Sequence, residues 1–434
     1  MAEDNTEYTP DNFDVVKFVL TSQTGATADI RHLVTRMSVT ESIDMLNAVY
    51  VVEIVDAVNL LETFAITGNE KLDIHLVKYD QDGNEHITKK KLAVIKVSNY
   101  ERVNVQGQGY RLTCITETAL ASSLVRVSRA LKGLASNMIT NLFDEISGDD
   151  KLNKVSSPSM VDLNIVVPNL SFNDTFKLIL KNILTPDFGT YHFYETLWDE
   201  YHAQTFGDLL ARDSVDTFHL SISEGNANFP KGTREHFLDN IRSVFEINSN
   251  INFDTLSGFK SGAYMSKRYD VDISQKTTRE TWLDSREASS SRVRQNYPLS
   301  SDFSLAGKGT DQFKDSAIFL NTVNFYSYGY EGTFSTSTIS TFGEQEKFIS
   351  ELNRELIAHE VETTGRWDIY AGSTIVLDFP KSSDPKNDQG KDLLLSGKYL
   401  VANVVHNFNL AEGEYKTQLS LRSDSIDFDM MEKA

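Results

Sequence analysis

Two stretches far apart in the chain carry the same strand pattern, and this constrains the fold more than any other feature. KLAVIKV at 91–97 and KYLVANV at 398–404 each read Lys, two apolar residues, Val, two more residues, Val. Each follows a turn rich in Asp, Asn and Gly: DQDGN at 80–84 and DPKNDQGKD at 384–392. Each leads through a glycine-containing turn to an aromatic–basic pair, Tyr110-Arg111 or Tyr415-Lys416, and then to the alternating strand CIT or LSL. The offset from Lys91 to Lys398 is 307 residues, far too wide for a solenoid. The expectation is two related small β-barrels in one chain.

The surrounding sequence agrees. Leu72, Ile74 and Leu76 alternate with Asp73, His75 and Val77, a period of two that buries one strand face. Asp82-Gly83 is a hairpin signal. Tyr110, Leu112 and Cys114 share one face of a strand, and Val49 to Val55 is apolar on both faces, as in a central or barrel strand. Ile375, Leu377 and Phe379 alternate near the C-terminus. Between these β regions the period changes. Leu120, Leu124, Val127, Leu131, Leu134, Met138 and Leu142 recur at helical steps, with Gly133 as a break that leaves a helix over about 134–146. A second helix is expected over about 173–184, capped by Ser171 and stopped by Pro186. Strand-like segments follow at 190–198, 201–206 and 216–222, and a helix is expected from Phe342 to His359. The fold class is therefore mixed and mainly β. Its expected parts are a first barrel over 1–117, an α/β domain over 118–243, a discontinuous second barrel over 244–275 and 342–425, a loop-rich insertion over 276–341 and an acidic tail over 426–434.

Charge removes several functions. With 62 acidic and 42 basic residues the net charge is −20. A nucleic-acid groove binder needs a basic stripe to release counterions, and an anionic membrane surface asks for the same. The single cysteine, Cys114, excludes an internal disulfide or a multi-cysteine metal site and fits folding in a reducing compartment. The N-terminus lacks the basic and apolar regions of a secretory signal, and Met45 to Leu61 is broken by Asn47, Glu53, Asp56 and Asn59. A protein made in a cytoplasm is expected.

Candidate chemistry is thin. In YHFYETLWDEYH at 191–202, His192, Glu195, Asp199 and His202 offer metal-ligand types, but the two histidines are ten residues apart, unlike the i, i+4 pair that binds zinc from a helix. A half-exposed hairpin is the expectation there. Cys114 reads as a small buried hydrophobe, and QGQG at 106–109 lacks the lysine of a phosphate loop and reads as a turn. Asp427 and Asp429 read as a solvated acidic tail. Arg279, Arg286, Arg292, Arg294, the serines 289–291 and the patch Phe325, Tyr326, Tyr328, Tyr330 fall in the insertion. No set of nucleophile, base and oxyanion donors assembles. The expectation is a protein that is not an enzyme, with no catalytic, cofactor-binding or metal residues and no cofactor.

The C-terminal third is the most distinctive part: QEKFISELNREL (345–356), AHEVETTG (358–365), AGSTIVLDFP (371–380), LSGKYLVANVVHNFN (395–409) and YKTQLSLRSDSID (415–427). This order resembles the closing barrel of the central baseplate hub proteins of contractile-tailed, T-even-like phages. SSLVRVSRALKG (122–133) resembles the entry to that family's second domain, and FDTLSGFKSGAYMSKRYDVDISQK (253–276) resembles the opening of its second barrel. The resemblance implies a structural virion protein of the tail baseplate that forms a homotrimeric ring of six similar barrels. Such a ring seats a sixfold tail tube on one side and a threefold spike on the other. The implied partners are its own copies, the tube protein, a trimeric spike or spike-lysozyme, wedge or tape-measure proteins, and DNA only in passage. The absence of a fused spike segment points to a phage; the alternatives are the hub module of another contractile injection machine and a carbohydrate-active enzyme with β modules.

Overall fold

The computed structural model describes residues 13–423 except 65, 81–82, 103–106, 149, 156–161, 184–189, 221–233, 252–253, 263, 273–275, 285–303, 306, 314, 324–327, 331–356, 381–390 and 393. The first unit contains β1 (Phe13–Thr21), β2 (Thr27–Asp29), β3 (Val34–Ser42), β4 (Val49–Asp56), a short α1 (Leu60–Thr63), β5 (Lys71–Tyr79), β6 (Glu85–Arg102) and β7 (Gln108–Thr116). The strands follow the order β2-β1-β5-β6-β7-β4-β3. The alternation fixes what faces inward. Leu72, Ile74 and Leu76 are buried against Phe18 and Leu20, and Tyr110, Leu112 and Cys114 fill the same core. The β5–β6 hairpin closes where expected: Tyr79 faces Glu85, and Gly83 takes the positive φ of 79° that the turn requires. Val49 to Val55 does not bury both faces; β4 alternates, with Tyr50, Val52 and Ile54 inside.

Next come α2 (Glu117–Leu124), β8 (Arg126–Leu134), α3 (Ala135–Asp144), β9 (Leu152–Val155), β10 (Asp162–Ser171), α4 (Phe172–Asn182), β11 (Tyr191–Glu195), β12 (Tyr201–Thr205) and α5 (Phe206–Ala211). The Thr116 hydroxyl accepts the Ala119 N–H at the start of α2, and the Ser171 hydroxyl accepts the Asp174 N–H at the start of α4, the expected cap. One expectation fails. The apolar repeat from Leu120 to Leu142 is not one helical stretch, because residues 126–134 form a strand paired along β10. Two β-branched residues, Val125 and Val127, stand at the break, and pairing with β10 supplies the backbone bonds that a helix would have made internally. Gly133, at φ 124°, is the next-to-last residue of that strand, and α3 starts two residues later.

The last unit starts with β13 (Thr217–Leu220), α6 (Arg234–Ile241) and β14 (Ser243–Ile251). An excursion follows: α7 (Thr255–Ser261), β15 (Met265–Asp272), β16 (Thr277–Asp284), the small pair β17 (Ser304–Leu305) and β18 (Lys308–Gly309), β19 (Ile318–Val323) and β20 (Tyr328–Tyr330). The chain then returns as β21 (Ile357–Thr364), β22 (Thr374–Leu377), β23 (Gly397–Asn409) and β24 (Glu414–Ser423). Six strands in the order β23-β22-β13-β14-β21-β24 close on themselves through the β23–β24 pairing, a small barrel filled by Phe218, Ile375, Leu377, Phe379, Val404 and Leu419 among others. The sequence reading put 216–222 in the α/β domain, and β13 is a barrel strand. It began the insertion at 276, and the β15–β16 hairpin straddles that position. In the excursion β16-β15-β19 form a separate sheet, while β20 extends β10. Of the helix expected over 342–359, residues 342–356 lie outside the described residues and Ile357 to His359 are the start of β21. Arg286, Arg292, Arg294, the serines 289–291, Phe325, Tyr326, Asp427 and Asp429 also lie outside them. Among the described residues no helix is long and apolar enough to cross a membrane.

The internal repeat is visible in the register. Five strands of the first sheet, β5-β6-β7-β4-β3, match β22-β23-β24-β21-β14 in order. Val94 faces Cys114 and Val97 faces Leu112; Val401 faces Leu421 and Val404 faces Leu419. The same bulge follows Val94 and Val401. A second shared bulge lies between Val34 and Arg36 in β3 and between Val244 and Glu246 in β14. Two bulges at equivalent places are a signature of common geometry. Two details differ from the sequence reading. The register sets Tyr415 level with Gln108 and not with Tyr110, because Phe408 faces Tyr415 where Arg102 faces Gln108. The sixth strand also differs: β1 runs antiparallel to β5, whereas β13 runs parallel to β22 and β14. Within the described residues only the second unit closes by strand pairing.

Candidate functional site

The two sheets are joined edge to edge. β3 pairs antiparallel with β23 from Arg36–Asn409 to Ser42–Asn403, and the β11–β12 hairpin lies against this junction. The hairpin's alternation divides its side chains between two cores. Tyr191, Phe193, Tyr201 and Ala203 face the core of the α/β domain, with Phe143 and Phe176. Tyr194 faces the other way, packing with Ile43 of the first unit and Leu400 and Ala402 of the second. Leu197 in the turn enters the first sheet's core. All ten strand residues are buried, so the expected half-exposed hairpin is corrected: the segment is rich in aromatic and polar residues because it is sandwiched.

The same alternation separates the candidate metal ligands. In register, His192 faces Gln204 and Tyr194 faces His202, while Glu195 faces Tyr201 on the opposite side of the ribbon. Both nitrogens of His192 are engaged. Nδ1 is 3.1 Å from the Ile43 carbonyl, which can only accept, so Nδ1 carries the proton and Nε2 accepts from the Thr190 hydroxyl at 2.9 Å. His202 stacks between Tyr194 and Tyr370, with ring centroids 5.2 and 5.5 Å away, and its Nε2 lies 3.6 Å from Asp199. Among the described residues no group of three or more His, Cys, Asp or Glu side chains could hold a metal ion.

Two buried carboxylates organise the junction. Glu41 on β3 is fully buried. Its oxygens accept the N–H of Leu197 at 2.7 Å and of Ala371 at 2.8 Å, and His406 Nε2 lies 3.5 Å away. One side chain thereby ties the first sheet, the hairpin turn and the second barrel together. Each bond lies in a dry setting, where a hydrogen bond is stronger than in water. Glu195 accepts the Ala48 N–H and the hydroxyls of Thr116 and Tyr201 on Oε2, and Lys90 Nζ stands 3.9 Å from Oε1. Burial pushes the Glu195 carboxyl up to about 7, against the opposing pull of Lys90 and the Ala48 N–H. Lys90 also donates to the Thr196 carbonyl. A third cluster centres on Tyr415. Its hydroxyl receives the Trp198 indole N–H at 3.0 Å, donates to the Arg366 carbonyl and meets His406 Nδ1 at 2.8 Å. Its ring stacks on Phe408 at 4.2 Å. Gly365 sits against that ring, where a Cβ would overlap it.

Glu41 and Lys90 were not singled out from the sequence, though a signal was present. Glu41 is in phase with buried Met37 and Val39, and Lys90 with Leu92 and Val94. A charge in the buried phase of a strand marks a paired, desolvated group. Cys114 is buried in the first core, and burial pushes its thiol up to about 12, the wrong direction for a nucleophile. What the arrangement does is positional: it fixes one sheet against the other.

No protein-family model and no curated protein matches the chain. Solved structures do. A tail protein from Neisseria meningitidis MC58 superposes with a TM-score of 0.53 at 8% identity, over 95% of this chain and 97% of that one. The chain shares the fold of that protein. A 43 kDa prophage tail protein from Shewanella oneidensis gives a TM-score of 0.49 at 9% identity, covering 95% and 99% of the two chains. An Escherichia coli component of the type VI secretion system gives 0.44 at 6%, covering 95% and 77%. At the level of fold, the resemblance to baseplate hub proteins read from the sequence is borne out.

Proposed function

We propose that this chain is a structural protein of a contractile phage tail: a baseplate hub that trimerises into a ring, seats the sixfold tail tube on one face and holds a threefold spike on the other. The observation that carries the reading is the duplicated sheet, with matching strand order and two matching bulges. Three copies of a chain with two similar halves present six similar surfaces while keeping true threefold symmetry, which is what a joint between sixfold and threefold partners needs. The tail-protein fold supports the same reading. The partners are then its own copies, the tube protein, a trimeric spike or spike-lysozyme, and neighbouring wedge or tape-measure proteins. DNA passes through without being held, as suits a chain of net charge −20. The protein works in the virion tail and performs no catalysis. Negative-stain class averages of the purified protein test this: six similar lobes around a hole are expected, and compact particles without a ring would refute it.

A further inference from the structure

The junction inside the chain has an unused counterpart at its outer edges. Inside the chain, β23 offers residues 403–409 and β3 offers 36–42. The repeat assigns each an equivalent. Val404 corresponds to Val97, since they face Leu419 and Leu112, residues at the same 307 offset. Glu41 corresponds to Ile251: β3 and β14 share their bulge, Thr40 faces Val49 as Asn250 faces Ala358, and both strands step one residue on. The equivalents are therefore the distal half of β6 and the body of β14.

Both equivalents present a strand edge to which no other strand is paired among the described residues. β6 is paired with β5 only up to Ala93 on that side, and β14 is paired with β13 only at Ser243 and Val244. Their exposure differs from that of their covered counterparts. Ala402 is 3% exposed and its equivalent Ile95 is 43%; Glu41 is 0% exposed and its equivalent Ile251 is 36%. Phe245 and Tyr100, at 44% and 58%, extend the same two edges. Open edges flanked by large apolar side chains invite strand addition.

We propose that β6 of one copy pairs antiparallel with β14 of a second copy of this chain, repeating between chains the β3–β23 junction made within each. The register follows from the internal one. Val404 faces Glu41 and Val405 faces Thr40, so Val97 faces Ile251 of the partner copy and Ser98 faces its Asn250. The first repeat then carries an extra bulge between Ser98 and Glu101, with Asn99 at φ 53°, and pairing resumes with Glu101 level with Asn248. The edges differ, so the contact is head-to-tail and propagates from copy to copy until it closes. The inference rests on the ring reading above and deepens it, because the two junctions together run one sheet around the ring.

The test is crosslinking in a Cys114→Ala background. Val97→Cys with Ile251→Cys places thiols opposite each other at sites that are already partly exposed. Val97→Cys with Glu246→Cys moves one thiol five residues away, about 17 Å along the strand. Oxidation or a short bis-maleimide should give covalent dimer and trimer bands from the first variant and none from the second. A native trimer by light scattering with no crosslink in the first variant, or equal crosslinking in both, would overturn the pairing and leave the hub reading standing. A monomer at every concentration would sink the hub reading and this inference with it.

Discussion

Raising the pH from 5 to 8 should loosen the hairpin through Glu195. Burial lifts this carboxyl from its ordinary 4.5 to about 7. Between those values the folded protein keeps a proton that the unfolded chain has lost. Stability from this group is therefore greatest below pH 4.5, falls as the pH rises through about 7, and is flat above that. A displacement of that size is worth at most about 3.5 kcal/mol, at about 1.4 per unit. Glu195→Gln keeps the shape and a carbonyl acceptor while removing the titration. Urea unfolding of both proteins at pH 5 and pH 8, followed by tryptophan fluorescence, isolates the effect. Trp198 reports from the hairpin turn itself, where it donates to Tyr415. His75, held below its ordinary value mainly by burial, gives the opposite slope up to about pH 6.5, and it is common to both proteins, so it cancels in the difference. Because the unfolded carboxyl is already mostly ionised at pH 5, the wild type should lose about 2.5 kcal/mol more than the variant between the two conditions. Identical slopes, or a wild type that gains on the variant as the pH rises, would refute the reasoning.

Other expectations are simpler. Gly372→Ala combines a φ of 85° with a Cβ that would overlap the Tyr194 hydroxyl; the backbone conformation costs about 1–2 kcal/mol and the overpacking about 1–3, so a melting temperature within a degree of wild type would contradict the geometry. Gly365→Ala should be comparably damaging, through the Tyr415 ring, and calorimetry of that variant checks it. Cys114→Ala should cost on the order of 1 kcal/mol and leave assembly intact, while native Cys114 should resist maleimide at pH 8 because its thiol is pushed up to about 12; stoichiometric labelling within minutes would count against the buried site. In an assembled ring, carboxylates should outnumber Lys and Arg among residues facing the axis, since a basic wall would hold phosphates; a reconstruction with a basic lumen would refute the sliding argument and leave the hub assignment in place.

Much of the β architecture was legible because it rests on local rules. Alternation placed Leu72, Ile74, Leu76 and Cys114 inward, Asp82-Gly83 announced its hairpin, and Ser171 announced its helix. The repeat was legible because Lys91 to Val97 and Lys398 to Val404 occupy equivalent strands. Its second half was misaligned by two residues, since turn lengths do not report register and the bulge after Ser98 lies only on the first copy. The segment 126–134 was misread because its leucine spacing is helical while its fate is decided by a distant strand, β10. The junction was hardest to see. Nothing local in YHFYETLWDEYH says that its two faces enter different cores, and Glu41 finds its partners at Leu197 and Ala371, far along the chain.

The most direct test of the central claim is the native mass. Light scattering across a concentration series should give about three times the 48.9 kDa chain mass, independent of concentration in the micromolar range. A clean monomer there would contradict the account, because a chain with two similar halves and two strand edges that are unpaired among the described residues would then make no contact between copies through them.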